Sequence, residues 1–285
     1  MDIALSEWSK GHSELPPPAP FSHSQRAWDT PGLKAISESL LENASDDRSK
    51  ARLLANTSKE TGAWLNALPV TSCGLCMDDE TIRVAVGLRL GASLCHPHQC
   101  QHCGGEVDSL GTHGLSCRWS EGRFSRHAAL NNIIHRSLQS ANVPLHLEPA
   151  GLYRSDGRRP DGISIIPWKC RICLLWDATT PDTYAPSHRS VAVRGAGEVA
   201  LQAEHLKHSK YSALEAKYHF VPVAVETSGV FGPEAHDFLH ELGHRMARVS
   251  LEPKSLQFLI QQISVAVQRG NATAVLGTVA KDSLL

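Results

Sequence analysis

Apolar and polar positions change period several times along the chain, and each change marks a predicted element. Leu33 to Leu54 carries apolar residues at helical spacing, interrupted at Asn43-Ala44-Ser45-Asp46, and Gly62-Ala63-Trp64-Leu65 leads into a proline-containing turn. A short helical hairpin is expected there. Arg123 to Ala141 places Phe124, Ala128, Ile134 and Leu138 on one helix face, and His127 and Asn131 share that stripe. Gly195 to Tyr218 reads as a long helix through Ala203, Leu206, Tyr211 and Leu214, and Phe220 to Thr227 as a β-rich strand. Pro233 to Val249 and Pro253 to Gln268 are two helices that open on proline, the second stopped by Gly270.

A hairpin is expected between these helices. Ile163, Ile165 and Ile166 form one strand, Ile172, Leu174, Leu175 and Trp176 the next, and Pro167 to Arg171 supply the turn. If Ile166 pairs with Ile172, the antiparallel register sets Asp161 opposite Asp177 at the open end. Cross-strand neighbours have Cβ atoms about 4.5 to 5.5 Å apart. Two carboxylates that close repel unless a cation or proton sits between them, and a hard divalent ion with oxygen ligands is the usual resolution. The hairpin therefore reads as half of a metal site. Helix, hairpin, helix, strand and helices together give an α/β class with a small central sheet flanked by helices.

Composition sharpens this in three ways. Net charge is −1, so no global basic field argues for nucleic acid. Locally, Arg118 to Arg171 holds nine Arg and Lys against four acidic residues, a net of +5 that suits a phosphate backbone. Arg123, Arg126, His127, Arg158 and Arg159 are the candidate contacts. Eight cysteines without an apolar leader at Met1 to Pro20 favour a reduced, intracellular, non-secreted protein. No run approaches the roughly 18 apolar residues a membrane span needs. Cys73 to Cys117 is dense in Cys, His and Gly and poor in long periodic runs, as in small folds stapled by metal. The expected division is 1–30 loosely attached, 31–72 helical, 73–118 knuckle-like, 119–270 an α/β domain and 271–285 a tail.

A hydrolytic site needs a proton-transfer partner, and the long helix offers Lys207, Lys210 and Tyr211, with Lys207 and Tyr211 on one face. A lysine beside a metal-bound water can orient it or stabilise charge developing on a phosphorane. The order Arg126-His127, Arg159-Pro160-Asp161, Trp176-Asp177-Ala178-Thr179 and Lys207-His208-Ser209-Lys210-Tyr211 resembles the restriction-endonuclease-like domain of non-LTR retrotransposon polyproteins, within the PD-(D/E)xK nuclease superfamily. The resemblance spans Thr61 to Val279. It implies Mg²⁺ held by Asp161 and Asp177, catalysis by Lys207 or Lys210, and support from Tyr211. Thr179 stands where the usual strand lysine would be, so the assignment rests on the helix lysine. Such chains carry a Cys-Cys-His-Cys knuckle before the nuclease, and Cys100, Cys103, His113 and Cys117 have the matching order for structural Zn²⁺. Cys73, Cys76, Cys95, His96 and His98 remain a competing set, while Cys170 and Cys173 read as free thiols.

The function expected is Mg²⁺-dependent DNA cleavage in the nucleus, with RNA as a further partner. The alternatives are a nucleic-acid-binding remnant without turnover and a zinc peptidase, since His240-Glu241-Leu242-Gly243-His244 matches His-Glu-x-x-His. His236 joins these two at helical spacing, and Glu226 at the end of the third strand is a further acidic candidate that is more often solvated. Oligomeric state is not legible.

Overall fold

The structure is a computed structural model that describes residues 25–152 and 159–279. Arg158, one of the candidate phosphate contacts, lies outside the described residues. The described chain is mixed α/β, with a four-stranded mixed sheet flanked by helices. Among the described residues no helix is long and apolar enough to cross a membrane.

Helix α1 (Gln25–Glu42) begins within the stretch expected to be loose and carries Pro31 inside it. Helix α2 (Asp47–Thr57) follows, and Asp46 caps it by accepting from the Ser49 N–H at 2.7 Å. The break foreseen at 43–46 is therefore this cap. A 3₁₀ helix (Lys59–Asn66) carries Trp64 into the core. Helix α3 (Asp79–Leu90) corrects the expectation of a segment poor in periodic structure. It is opened by Asp78, which accepts from the Thr81 N–H, closed by Gly91, and buries Val84, Ala85 and Leu88. Its apolar stripe is short, and the surrounding cysteines and histidines masked it.

The two-residue strands β1 (His98–Gln99) and β2 (Glu106–Val107) pair antiparallel, and the short helix α4 (His113–Ser116) follows. Helix α5 (Glu121–Ser140) is the one expected at Arg123 to Ala141, with its phase changed. Phe124 is 73% exposed, and the buried face runs through Gly122, Arg126, Leu130, Ile134 and Leu138. The reason lies in helix α9 (Ser255–Leu276), whose Gly270 faces this stripe. A Cβ there would lie 2.0 Å from Arg126 Cγ, and one at Gly122 would lie 2.5 Å from the Gly270 carbonyl oxygen. Gly270 therefore permits close helix packing and does not end the helix, which continues to Leu276.

The sheet runs in the order β3 (Leu145–Leu147), β4 (Gly162–Lys169), β5 (Ile172–Thr179), β6 (His219–Ala224). The first two pairings are antiparallel, and β6 lies parallel to β5 after a crossover through helices α6 (Arg189–Ala192) and α7 (Glu198–Glu215). The hairpin turn is tighter than Pro167 to Arg171: β4 reaches Lys169, and Cys170 and Arg171 make the turn with φ of +52° and +63°. Positive φ at both central residues is the primed-turn geometry that matches strand twist. Ile172 pairs with Lys169 and not with Ile166 as expected; the register then shifts twice around Pro167, and beyond those shifts Gly162 pairs with Trp176 and Ile163 with Leu175, the register that carries Asp161 across from Asp177. Gly162 is required there, because a Cβ would meet the Trp176 ring at 2.1 Å.

Strand β5 is buried on both faces. Leu174, Trp176 and Ala178 pack with α5, α9 and helix α8 (Pro233–Ser250) in the main core. Leu175 points the other way, onto Tyr211 of α7 and Phe220 of β6. By the two-residue period Asp177 shares the face of Leu175. A second core joins Val84, Leu88, Cys100, Leu115 and Cys117 to Ala274 and Val275 of α9, so the cysteine-rich segment is packed against the same central helix as the sheet.

Candidate functional site

Two acidic side chains and one lysine meet at the C-terminal end of β5. Asp161, just before β4, accepts the Ala178 N–H at Oδ2 (2.6 Å) and lies 3.2 Å from His127 Nε2. Asn131, one turn along α5 from His127, accepts the Trp176 indole N–H at 3.2 Å. Trp176, Asn131 and His127 thus hold the Asp161 side chain from the core side of the sheet. Asp177, 5% exposed, receives Lys207 Nζ as an ion pair at Oδ2, and the same ammonium stands 3.4 Å from the Ala178 carbonyl oxygen.

The electrostatics drive the two carboxyls apart. Burial raises both, but the His127 hydrogen bond and charge, the Ala178 N–H and Asn131 bring Asp161 below its ordinary value. Asp177 stays above its own: burial dominates and the Asp161 charge adds to it, while Lys207 opposes. His127 is raised by its bond to Asp161. Opposed shifts in neighbouring carboxyls are what an acid–base or metal-binding pair shows, and structural ion networks show them as well.

Helix α7 places Lys207, and not Lys210, beside Asp177. Its buried residues are Val199, Ala200, Glu204 and Tyr211, and Lys207 falls on their stripe while Lys210 is exposed. The Tyr211 hydroxyl donates to the Arg159 carbonyl (3.2 Å), and its ring packs 5.0 Å from Phe220. It fastens the backbone leading into Asp161. Two neighbours on α7 have no counterpart in the sequence reading. Glu204 accepts the N–H groups of Ala235 (3.0 Å) and Glu234 (3.3 Å) at the start of α8, and His208 bridges Glu215 (2.7 Å) and Glu234 (2.6 Å). The spacing Glu204, Lys207, Tyr211 was the available signal, since i, i+3 and i+7 share a helix face.

Glu204 is fully buried, and burial pushes its carboxyl up to about 7 against the pull of those two N–H groups. The folded state therefore holds a proton that the unfolded chain has released between pH of about 4.5 and 7, so stability falls as pH rises through that window. Glu204→Gln keeps the accepting oxygen and cannot ionise. Its melting temperature is expected to gain on the parent's from pH 5 to pH 8. Melting curves that shift in parallel would refute this.

The basic candidates separate. Arg126 is 2% exposed and donates to the carbonyls of Leu115 (2.8 Å) and Gly270 (3.3 Å) and to Asn271 Oδ1 (3.2 Å). It ties α4 to α9 and cannot reach a phosphate backbone, which corrects its assignment. Arg123 is exposed, and Arg159 forms an ion pair with Glu148. Glu226 is also corrected: it is 1% exposed, not solvated, and accepts from Thr183 Oγ1 (2.8 Å), Ser228 Oγ (3.0 Å) and the Ala200 N–H (3.1 Å).

In the cysteine-rich segment, Cys100, Cys103, His113 and Cys117 bring their ligand atoms within 4.8 Å of one another. Cys100 and Cys117 sulfurs are 3.9 Å apart, and Cys103 Sγ is 3.2 Å from His113 Nε2. A tetrahedron with Zn–S bonds of about 2.3 Å has edges near about 3.8 Å, so the donor set and its spacing fit zinc. The scaffold is a tight turn. The Cys100 N–H donates to Gly105 O and the Gly104 N–H to Cys100 O, both at 2.8 Å, and the Gly105 N–H reaches Cys103 Sγ and lowers that thiol's pKa. The competing set is not assembled among the described residues. Cys95 is buried with its thiol toward Asp108 O (3.4 Å), Cys73 and Cys76 are exposed, and His98 turns to His96 O and Thr278 O, both at 2.8 Å.

Among the described residues, His240 and His244 do not fall in one metal-ligating group, as the zinc-peptidase order would need. His240 and His244 stand edge to face with ring centroids 6.3 Å apart, and Glu241, the would-be base, is held by Arg245 (2.6 Å) and Arg248 (3.6 Å). No protein-family model matches the chain, and no curated protein matches it.

Proposed function

We propose that this protein is a Mg²⁺-dependent endonuclease that hydrolyses DNA phosphodiester bonds, with a restriction-endonuclease-like core and a zinc knuckle beside it. The observation that carries the reading is the Asp161, Asp177 and Lys207 constellation at one end of β5, with His127 on Asp161. Asp161 and Asp177 would hold the cation. Lys207 addresses Oδ2 of Asp177, so among the described residues Oδ1 of that carboxylate is the oxygen a hard ion would take. Mg²⁺ bound by one or two carboxylates, with water and phosphate oxygens completing its shell, is the usual arrangement at phosphoryl sites. The ion supplies Lewis-acid polarisation of the phosphate and lowers the pKa of water.

The remaining work falls to the side chains. The Lys207 ammonium can turn from Asp177 to an incoming phosphate, where it orients the attacking water and offsets charge developing on the phosphorane. Tyr211 and Asn131 keep Asp161 and the β4 entry in position. Cys100, Cys103, His113 and Cys117 would bind zinc as a structural staple, and exposed Arg123 offers a contact to the backbone of DNA or RNA. The expected compartment is the nucleus.

Nicking of supercoiled plasmid in Mg²⁺ by the full chain tests this. Lys207→Ala is expected to lower the rate about a hundredfold. Lys210→Ala, altering an exposed side chain one turn away, is expected to stay within about twofold of the parent. Equal losses in both variants would overturn the lysine assignment. A parent that binds DNA without nicking it would overturn the hydrolase and leave the binding remnant.

A further inference from the structure

Helix α8 and the 3₁₀ helix at Lys59–Asn66 lie against α9 from different parts of the chain. On the 3₁₀ side, the Trp64 N–H donates to Ser264 Oγ (3.2 Å), and Gln261 Nε2 donates to Asn66 O (2.9 Å). Where the two elements meet, three donors converge that neither the nuclease reading nor the cysteine cluster uses. We infer that Glu60, His236 and His240 form a second metal site, for one divalent first-row transition ion of the Zn²⁺ and Co²⁺ class.

Their ligand atoms, one carboxylate oxygen and one ring nitrogen from each histidine, all lie within 4.8 Å of one another. The i,i+4 spacing puts both imidazoles on one face of α8, and their ring centroids lie 4.0 Å apart with the planes tilted by 31°. Supporting groups surround them. Ser58 Oγ donates to Glu60 Oε2 at 2.9 Å and fixes the carboxylate, and Asp237 Oδ1 stands 3.3 Å from His236 Nδ1, where a carboxylate can orient an imidazole and raise its basicity. Two imidazoles and a carboxylate suit borderline ions such as Zn²⁺ and Co²⁺ and leave a coordination position for water. All three residues are partly exposed, so an ion can enter from solvent. Binding would fasten the 3₁₀ helix to the first turns of α8.

This inference is independent of the proposed nuclease and of the cysteine site. The test is titration of the metal-free, reduced full chain with Co²⁺, in excess Mg²⁺ to occupy the aspartate pair. The cysteine cluster would give intense near-ultraviolet thiolate-to-cobalt absorption. The Glu60 site would add one further equivalent with weak visible bands and no near-ultraviolet increase. His236→Ala and Glu60→Gln are expected to weaken that equivalent by about a hundredfold or more and to leave the thiolate band intact. Failure of the cysteine reading would remove the near-ultraviolet band alone. Absence of the weak-band equivalent in the parent, or its persistence undiminished in both variants, would overturn the site.

Discussion

Asp177→Asn is expected to lower Mg²⁺-supported plasmid nicking by about a thousandfold while the protein stays folded. The reasoning starts from burial. Asp177 is 5% exposed on β5, one of the two inner strands of the sheet, and its carboxylate is the partner of Lys207. Asparagine has the same shape and offers an oxygen to Lys207, so packing against α7 is kept. What disappears is the negative charge. An amide oxygen is a far poorer ligand for a hard cation than a carboxylate, and the ammonium of Lys207 loses the charge that holds it beside the Ala178 carbonyl. Far-ultraviolet circular dichroism of the variant should match the parent. If both proteins nick at the same rate, the centre proposed here is not where the bond is cut.

Cys117→Ser is expected to have the largest effect on stability. Cys117 is buried with Cys100 in the core shared by α3, α4 and α9. Its sulfur is both a candidate zinc ligand and part of that packing. Binding free energy of about 10 kcal/mol or more is available to structural zinc sites, which is comparable to the whole stability of an ordinary domain. Serine removes one candidate thiolate ligand and places a hydroxyl in the apolar core that also holds Leu115, Ala274 and Val275. The melting temperature should fall by about 10 °C or more, with loss of the cobalt thiolate band. Stripping the parent with a chelator should reproduce the fall. A variant that melts with the parent and retains its cysteine-bound metal would refute the ligand set.

Both expectations rest on features carried by short stretches of the chain. The hairpin was legible because β-branched residues, the Asp161-Gly162 pair and Trp176 constrain each other locally. Gly162 must lack a side chain for Trp176 to lie across it, and that contact fixes the register which brings the aspartates together. The spacing of the cysteine cluster was equally local, since all four candidate ligands lie within 18 residues of chain, Cys100 to Cys117. The break at Asn43 to Asp46 was legible for the same reason, and the structure makes Asp46 the cap of α2.

Arg126 was misread because an arginine in a basic stretch normally faces solvent. Here its guanidinium supplies donors to the Leu115 and Gly270 carbonyls, and those acceptors come from two other elements. Gly270 was misread by the same logic: its absent Cβ serves the crossing of α5 and α9.

The sequence by itself determined the long helices, the two strands of the hairpin and the Cys-Cys-His-Cys order of the cysteine cluster, because each depends on residues a few positions apart. Tertiary structure alone decided which lysine meets Asp177, which arginine is buried, and that Glu60 stands beside His236 and His240. Those outcomes depend on how helices are rotated and docked on α9 and the sheet, and rotation is set by the summed packing of residues distant in the chain.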